Sequence, residues 1–248
     1  MRSRRALGLT VALAAAFAHG APLRAQDGEP SRARFWIASA TIVAASAALD
    51  PTMRRAAAAH QRDAASDLAP GLDPIGRARY ILPTLAVAIV APRIAGKREL
   101  SNAAIRVAAG YLAADAVEST LKPLVGRHRP RDGGSAWRFH PCARTEEWHS
   151  FPSAHTTHAF ALATGLAIES GNRWVAAAGY GTAGLVALQR IYTGAHWTSD
   201  VTTSAALAIA TSGATVRWLR RRGPGPLRRI PAPTLGIGTT GVGAAWSF

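Results

Sequence analysis

A chain of 248 residues with 48% hydrophobic side chains, much of it alanine, is long enough for one sizeable core and does not require a second domain. Its formal net charge of +15, mostly from arginine, suits an anionic partner such as nucleic acid, an acidic membrane surface or a phosphorylated substrate, yet the sequence carries no nucleic-acid-binding motif. The single cysteine, Cys142, excludes an intrachain disulfide and any cysteine-based metal cluster.

In chain order, Met1-Arg2-Ser3-Arg4-Arg5 precedes an apolar run from Ala6 to about Ala18, then small residues with cleavage points after Ala21 or Ala25. A basic start, a short apolar middle and a small-residue end predict an export signal over residues 1–25, with an uncleaved membrane anchor as its rival. An apolar helix is expected from Phe35 to Leu49 and a polar, arginine-bearing one from about Pro51 to Leu68. Pro70, Gly71, Pro74 and Gly76 then punctuate a loop. A second apolar helix covers Tyr80 to Ile94, bent near Pro83, and a third runs from Ser101, a good N-cap, to Leu121. Lys122 to Phe151 shows no sustained period, and a loop of that length is either functional or disordered. Three helices follow, at about Ser153–Glu169, Arg173–Arg190 and Trp197–Arg220.

The expectation is an all-α bundle of about six core helices over residues 33–222. These helices are marginal as membrane spans, so integral and peripheral forms both stay open. The tail, residues 223–248, is Gly-rich and alternating but lacks the strands to close a barrel, which leaves a small hairpin or a loose tail.

Three stretches carry candidate chemistry. Lys122 stands seven residues before Arg129-Pro130, and Pro123, Gly126 and Pro130 turn the backbone so that both cations can point to one place. In an arginine-rich chain a solvated loop explains the same residues. In Phe151-Pro152-Ser153-Ala154-His155, Ser153 can cap a helix whose first amides have no internal partner and so face an anion, with His155 in that first turn. From Gln189 to Asp200, Arg190 offers a fork suited to phosphate oxygens and Gly194 turns the chain. His196 then stands four residues before Asp200, a spacing at which a carboxylate on the same helical face can fix an imidazole tautomer. Taken singly, that pair also reads as a surface hydrogen bond. His128, His140, His149 and His158 raise a zinc site as rival, but no carboxylate-histidine motif of metalloenzyme type accompanies them. Arg127, Arg131, Arg138 and Arg144 are assigned to lipid headgroups or solvent rather than chemistry, and Trp137 and Trp148 to interfacial anchoring or packing.

As an ordered set, K-x6-R-P from Lys122 to Pro130, a P-S-G-H-like Pro152–His155 and an S-R-x5-H-x3-D-like Gln189–Asp200 resemble the type 2 phosphatidic acid phosphatase superfamily. That superfamily includes bacterial class A acid phosphatases and vanadium haloperoxidases, and the resemblance covers roughly Phe35 to Arg220. Ala154 stands where the family has Gly, and Gln189 where it has Ser.

The resemblance implies a metal-independent phosphatase with no cofactor. His196 would be the nucleophile that forms a phosphohistidine, Asp200 would orient it, and His155 would be the general acid and base. Lys122, Arg129, Arg190 and the helix start at Ser153 and Ala154 would bind the phosphate. The implied substrate is a lipid phosphate or pyrophosphate, of the phosphatidic acid, phosphatidylglycerol phosphate or undecaprenyl pyrophosphate type. It would be met at a membrane surface, in the periplasm or on the periplasmic face of the inner membrane. A soluble periplasmic acid phosphatase acting on small phosphomonoesters is the second reading. A haloperoxidase, with vanadate as its one cofactor, and a non-catalytic envelope protein are the others.

Overall fold

The computed structural model describes residues 29–60, 71–223, 234–238 and 241–245. The expected export signal, part of the arginine-bearing helix and part of the tail lie outside the described residues. The fold is an α-helical bundle of α1 (Glu29–His60), α2 (Ala78–Ile94), α3 (Arg98–Val125), α4 (Ala154–Ser170), α5 (Arg173–Tyr192) and α6 (Thr198–Arg222). A 3-10 turn at Asp73–Gly76 precedes α2, and β1 (Thr234–Gly238) pairs with β2 (Gly241–Ala245) in an antiparallel hairpin with Ile237 opposite Val242.

Helix α4 is the centre, packed against α3, α5 and α6. The core it shares is built largely of alanine: Ala159, Ala161, Ala163 and Ala167 of α4 meet Ala176, Ala183 and Ala187 of α5 and Ala205, Ala206 and Ala208 of α6, with Phe160, Tyr180 and Val186 filling between them. Small side chains give little apolar area each but let helix axes approach closely, so dispersion between packed backbones supplies much of the cohesion.

Two boundaries differ from the sequence reading. Helix α1 continues through Pro51, where a break between two helices was expected. Tertiary contacts decide this: Ser46 is hydrogen-bonded to Thr202 of α6 at 2.7 Å, and Asp50 accepts from the Ser199 amide at 2.9 Å, so the turn that leads into the proline is pinned to α6 and the local cost is offset. Helix α3 runs on past Leu121, through Pro123, to Val125, and Lys122 therefore sits in its last turn rather than at its end. The helix stops at Gly126, which adopts the left-handed conformation (φ 57°, ψ 51°) that closes a C-terminus; a Cβ there would also fall 1.9 Å from the His140 carbonyl oxygen.

The segment from Gly126 to Ser153 is ordered without being regular. Its backbone is tied by His128 N to Arg138 O, His140 N to Gly126 O and Ser150 N to Arg127 O, with 3-10 turns at Pro130–Asp132 and Glu146–Trp148. Within α1, Ala33–Ala59 is, by length and composition, the one described helix apolar enough to cross a membrane, and only 17% of that window is buried. The sides of α1 are distributed unusually: Ser39, Ser46, Asp50 and Met53 face inward, while Trp36 and Ile37 are 50% and 67% exposed.

Candidate functional site

His196 lies in the turn between α5 and α6, where the amides of Ala195 and His196 both donate to the Arg190 carbonyl. The left-handed Gly194 makes that turn. The ring is buried, and its Nδ1 is 2.5 Å from the Ser150 carbonyl oxygen. A carbonyl only accepts, so Nδ1 carries the proton and the lone pair is on Nε2. Burial, then the charges of Lys122 and Arg129, with a smaller push from Arg190, hold the imidazole pKa well below the usual histidine value, although the Ser150 bond opposes them. The ring is a neutral base with a free Nε2 lone pair, surrounded by cations.

Asp200 does not reach that ring, which corrects the expected orienting bond. Its Oδ1 accepts from Arg127 Nη1 at 2.5 Å, and its Oδ2 accepts from Ser150 Oγ at 2.6 Å and from the Trp197 amide at 2.9 Å. The reason is positional. Helix α6 starts only at Thr198, so His196 precedes the capping residue and the four-residue spacing does not span one helical turn. Asp200, third in the helix, folds back on the free amide of Trp197 instead. It acts on His196 through Ser150, whose hydroxyl it holds and whose carbonyl holds the imidazole.

Arg127, assigned from sequence to headgroups or solvent, is 4% exposed and central to the scaffold. Besides Asp200 it donates to Asp50 Oδ2 at 2.8 Å, Ser199 Oγ at 2.7 Å and Ala136 O at 2.9 Å. A buried guanidinium between two buried carboxylates locks the segment that follows α3 to α1 and α6. Asp50 had a sequence signal, a carboxylate ending the apolar run of α1; Arg127 had none, because arginines surround it.

The three expected phosphate-binding cations converge on His196, each held by an acceptor. Lys122 Nζ is 2.6 Å from Glu118, one turn back on α3. Arg129 donates to the Glu146 carbonyl at 2.7 Å and to its carboxylate at 2.8 Å. Arg190 donates from Nη2 to Asp73 Oδ1 at 2.7 Å and from Nε to the side-chain oxygen of Gln189. Gln189, where the family has Ser, thus steadies Arg190.

At the start of α4, Ser153 occupies the cap position without a side-chain cap bond, a second correction. Its hydroxyl accepts from Thr156 Oγ1 at 3.1 Å and its amide donates to Ser204 Oγ at 2.7 Å, so the Ser153 amide is committed to α6. The first-turn amides of Ala154 and His155 have no intrahelical acceptor and remain as the helix-start donors. His155 is half-buried, with Nε2 3.2 Å from Asp73 Oδ1 but not aligned as a hydrogen bond. Burial and then Arg190 push its pKa down to about 4; Asp73 opposes them, and His158 and Arg77 add to the depression.

The histidines of the zinc reading are engaged separately. His158 bridges Gly76 O at 2.8 Å and Asp115 Oδ1 at 2.6 Å, His149 meets Ala143 O at 3.0 Å, and His128 and His140 set their rings edge-on to Trp148.

The fold is a helical bundle in which three cations, Lys122, Arg129 and Arg190, surround the buried His196 imidazole, and Arg190 also acts on His155. Residues 103–224 match the family model described as the PAP2 superfamily, and the chain carries a domain of that superfamily. A lipid A 1-phosphatase of Porphyromonas gingivalis is 44% identical to it over 63 residues, 25% of this chain; the match spans 14% of that relative's length. No solved structure matches.

Proposed function

We propose that the chain is a phosphatase of lipid phosphates that works through a phosphohistidine on His196 and needs no metal ion. The observation that carries the reading is the Nδ1–Ser150 carbonyl bond, which leaves the Nε2 lone pair of a neutral imidazole beside Lys122, Arg129 and Arg190. In the first step Nε2 attacks phosphorus, the bond from phosphorus to the leaving oxygen breaks, and His155 gives that oxygen its proton. In the second, His155 takes a proton from water as the water oxygen attacks the phosphohistidine, the P–N bond breaks, inorganic phosphate leaves and Nε2 is restored. Lys122, Arg129, Arg190 and the first-turn amides of α4 balance charge on the equatorial oxygens. An incoming phosphate brings negative charge beside His155 and so favours the protonated ring that the first step needs.

The partial relative's name, a lipid A 1-phosphatase, supports the choice of a lipid phosphate over a small phosphomonoester. So does the inverted pattern of α1, whose inward positions Ser39, Ser46 and Asp50 are polar and whose Trp36 and Ile37 point out, as suits a helix bordered by lipid. On this reading the protein works at a membrane surface on the exported side, without nucleic acid as a partner.

The test is inorganic phosphate release from phosphatidic acid in detergent by purified protein, with His196→Ala alongside and with a chelator added. Activity that survives chelation and vanishes in the variant supports the reading. Wild-type protein inactive on this lipid, on a lipid A-type glycolipid phosphate and on a small phosphomonoester overturns it.

A further inference from the structure

Asp73 belongs to none of the three motif stretches and lies outside residues 103–224 matched by the family. Yet the 3-10 turn that carries it is pressed onto the site. Its Oδ1 accepts from Arg190 Nη2 at 2.7 Å and stands 3.2 Å from His155 Nε2, and its Oδ2 accepts from Arg77. At the other end of the turn, Gly76 backs onto the same imidazole: a Cβ there would fall 2.6 Å from His155 Cδ2, and the Gly76 carbonyl is held by His158. One short turn therefore touches both the expected acid and base and one of the expected phosphate ligands.

Resting on the phosphatase reading, we propose that Asp73 is a positioning residue of the reaction: its carboxylate holds Arg190 beside the nucleophile and supports the protonated form of His155. The division of labour between the two acids follows from their contacts. Asp200 serves His196 through the Ser150 backbone, and Asp73 serves His155 by charge, without a fixed bond. Because His155 Nε2 is buried and has no aligned acceptor, its proton is free to go to a leaving oxygen. A carboxylate that bonded it squarely would compete for that proton.

The charged groups facing His155 are Asp73 of the turn, Arg77 immediately after it, Arg190 of α5 and His158 of α4, with Asp115 of α3 behind His158. Only Asp73 among the groups acting on His155 favours its protonation; Arg190, His158 and Arg77 oppose it. Burial works to raise the Asp73 carboxyl, but the Arg77 hydrogen bond and the charges of Arg190, His155 and Arg77 outweigh it, so Asp73 remains ionised over the working pH range.

The experiment titrates the His155 ring by NMR in the full-length wild type and in Asp73→Asn, the resonance being assigned with His155→Gln, and records kcat against pH for both active forms. Removing one charge at this range is expected to reduce the protonated fraction of His155 about tenfold at a given pH. The NMR midpoint and the alkaline limb of kcat should both move to lower pH in Asp73→Asn, and Asp73→Glu should restore most of the shift. A purely structural Asp73 would lower the melting temperature and move neither titration, and an unmoved His155 midpoint in folded Asp73→Asn overturns the proposal. If the midpoint moves but the wild type releases no phosphate from any substrate, the coupling of Asp73 to His155 stands and the phosphatase reading falls.

Discussion

Asp200→Asn separates two accounts of the same residue. If Asp200 held His196 directly, the substitution would cost turnover and little stability. The structure predicts a large stability loss as well, because all three partners of the carboxylate, Arg127, Ser150 Oγ and the Trp197 amide, are donors. An asparagine must turn its NH2 toward at least one of them. Losing a charge-assisted bond to Arg127 costs ~1.5–3 kcal/mol and leaving a buried donor facing a donor costs ~1–3 kcal/mol, which together approach the ~3–5 kcal/mol for breaking a buried pair. Asp50 still neutralises Arg127, so the lower part of that range is expected, near ~3 kcal/mol. For a chain of this size that lowers the thermal midpoint by roughly 6–12 °C. Differential scanning fluorimetry and phosphate release measured on the same preparations test it. Asp50→Asn should show a comparable melting shift, since Asp50 holds the other side of Arg127 and the Ser199 amide. An Asp200→Asn protein that melts with the wild type while losing turnover would refute the reasoning.

Two further outcomes follow from the same geometry. Gly76→Ala drives a methyl to 2.6 Å from the His155 ring, so turnover should fall at least ~10-fold while far-UV circular dichroism keeps its helical signal. For pH, burial and Arg190 depress the folded pKa of His155 to about 4, below the ordinary histidine value of 6.5, so the unfolded chain takes up a proton first on acidification. Its contribution to stability is complete above about pH 6.5 and is lost as pH falls toward 4; His196, depressed in the same direction, adds to the loss. Melting temperature measured from pH 7 to pH 4 should decline, and less steeply in His155→Gln.

The bundle was legible because helix punctuation is local: Gly171 and Gly194 fall where α4 and α5 end, whereas α3 overruns its expected end at Leu121 and stops only at Gly126. His196, His155 and the three cations were picked out as candidates because their order along the chain resembles a family. What sequence did not show are contacts made across the fold by residues of ordinary local type. Arg127 is one arginine among several between Lys122 and Arg144, and its meeting with Asp50 and Asp200, 77 and 73 positions away, makes it structural. Asp73 sits in a proline-glycine loop, and its link to Arg190 spans 117 positions. Asp200 misled for the opposite reason: a helical spacing was read across a helix boundary, where Trp197 is extended (φ −73°, ψ 158°).

The two hydrogen-bonded positions of α1, Ser46 and Asp50, are one turn apart and both engage α6, at Thr202 and Ser199. Together they act as a key in a slot, fixing the rotation of the helix about its own axis. A single residue inserted between Asp50 and Ser46 would turn one contact by about 100° relative to the other, and no rigid rotation of the helix could then seat both. One inserted ahead of Ser46 would leave the key engaged and swing Trp36 and Ile37 to a different azimuth. The polar lock thus sets which side of α1 is presented outward, and the direction in which its tryptophan and isoleucine project is decided some ten positions further along the chain, by a serine and an aspartate.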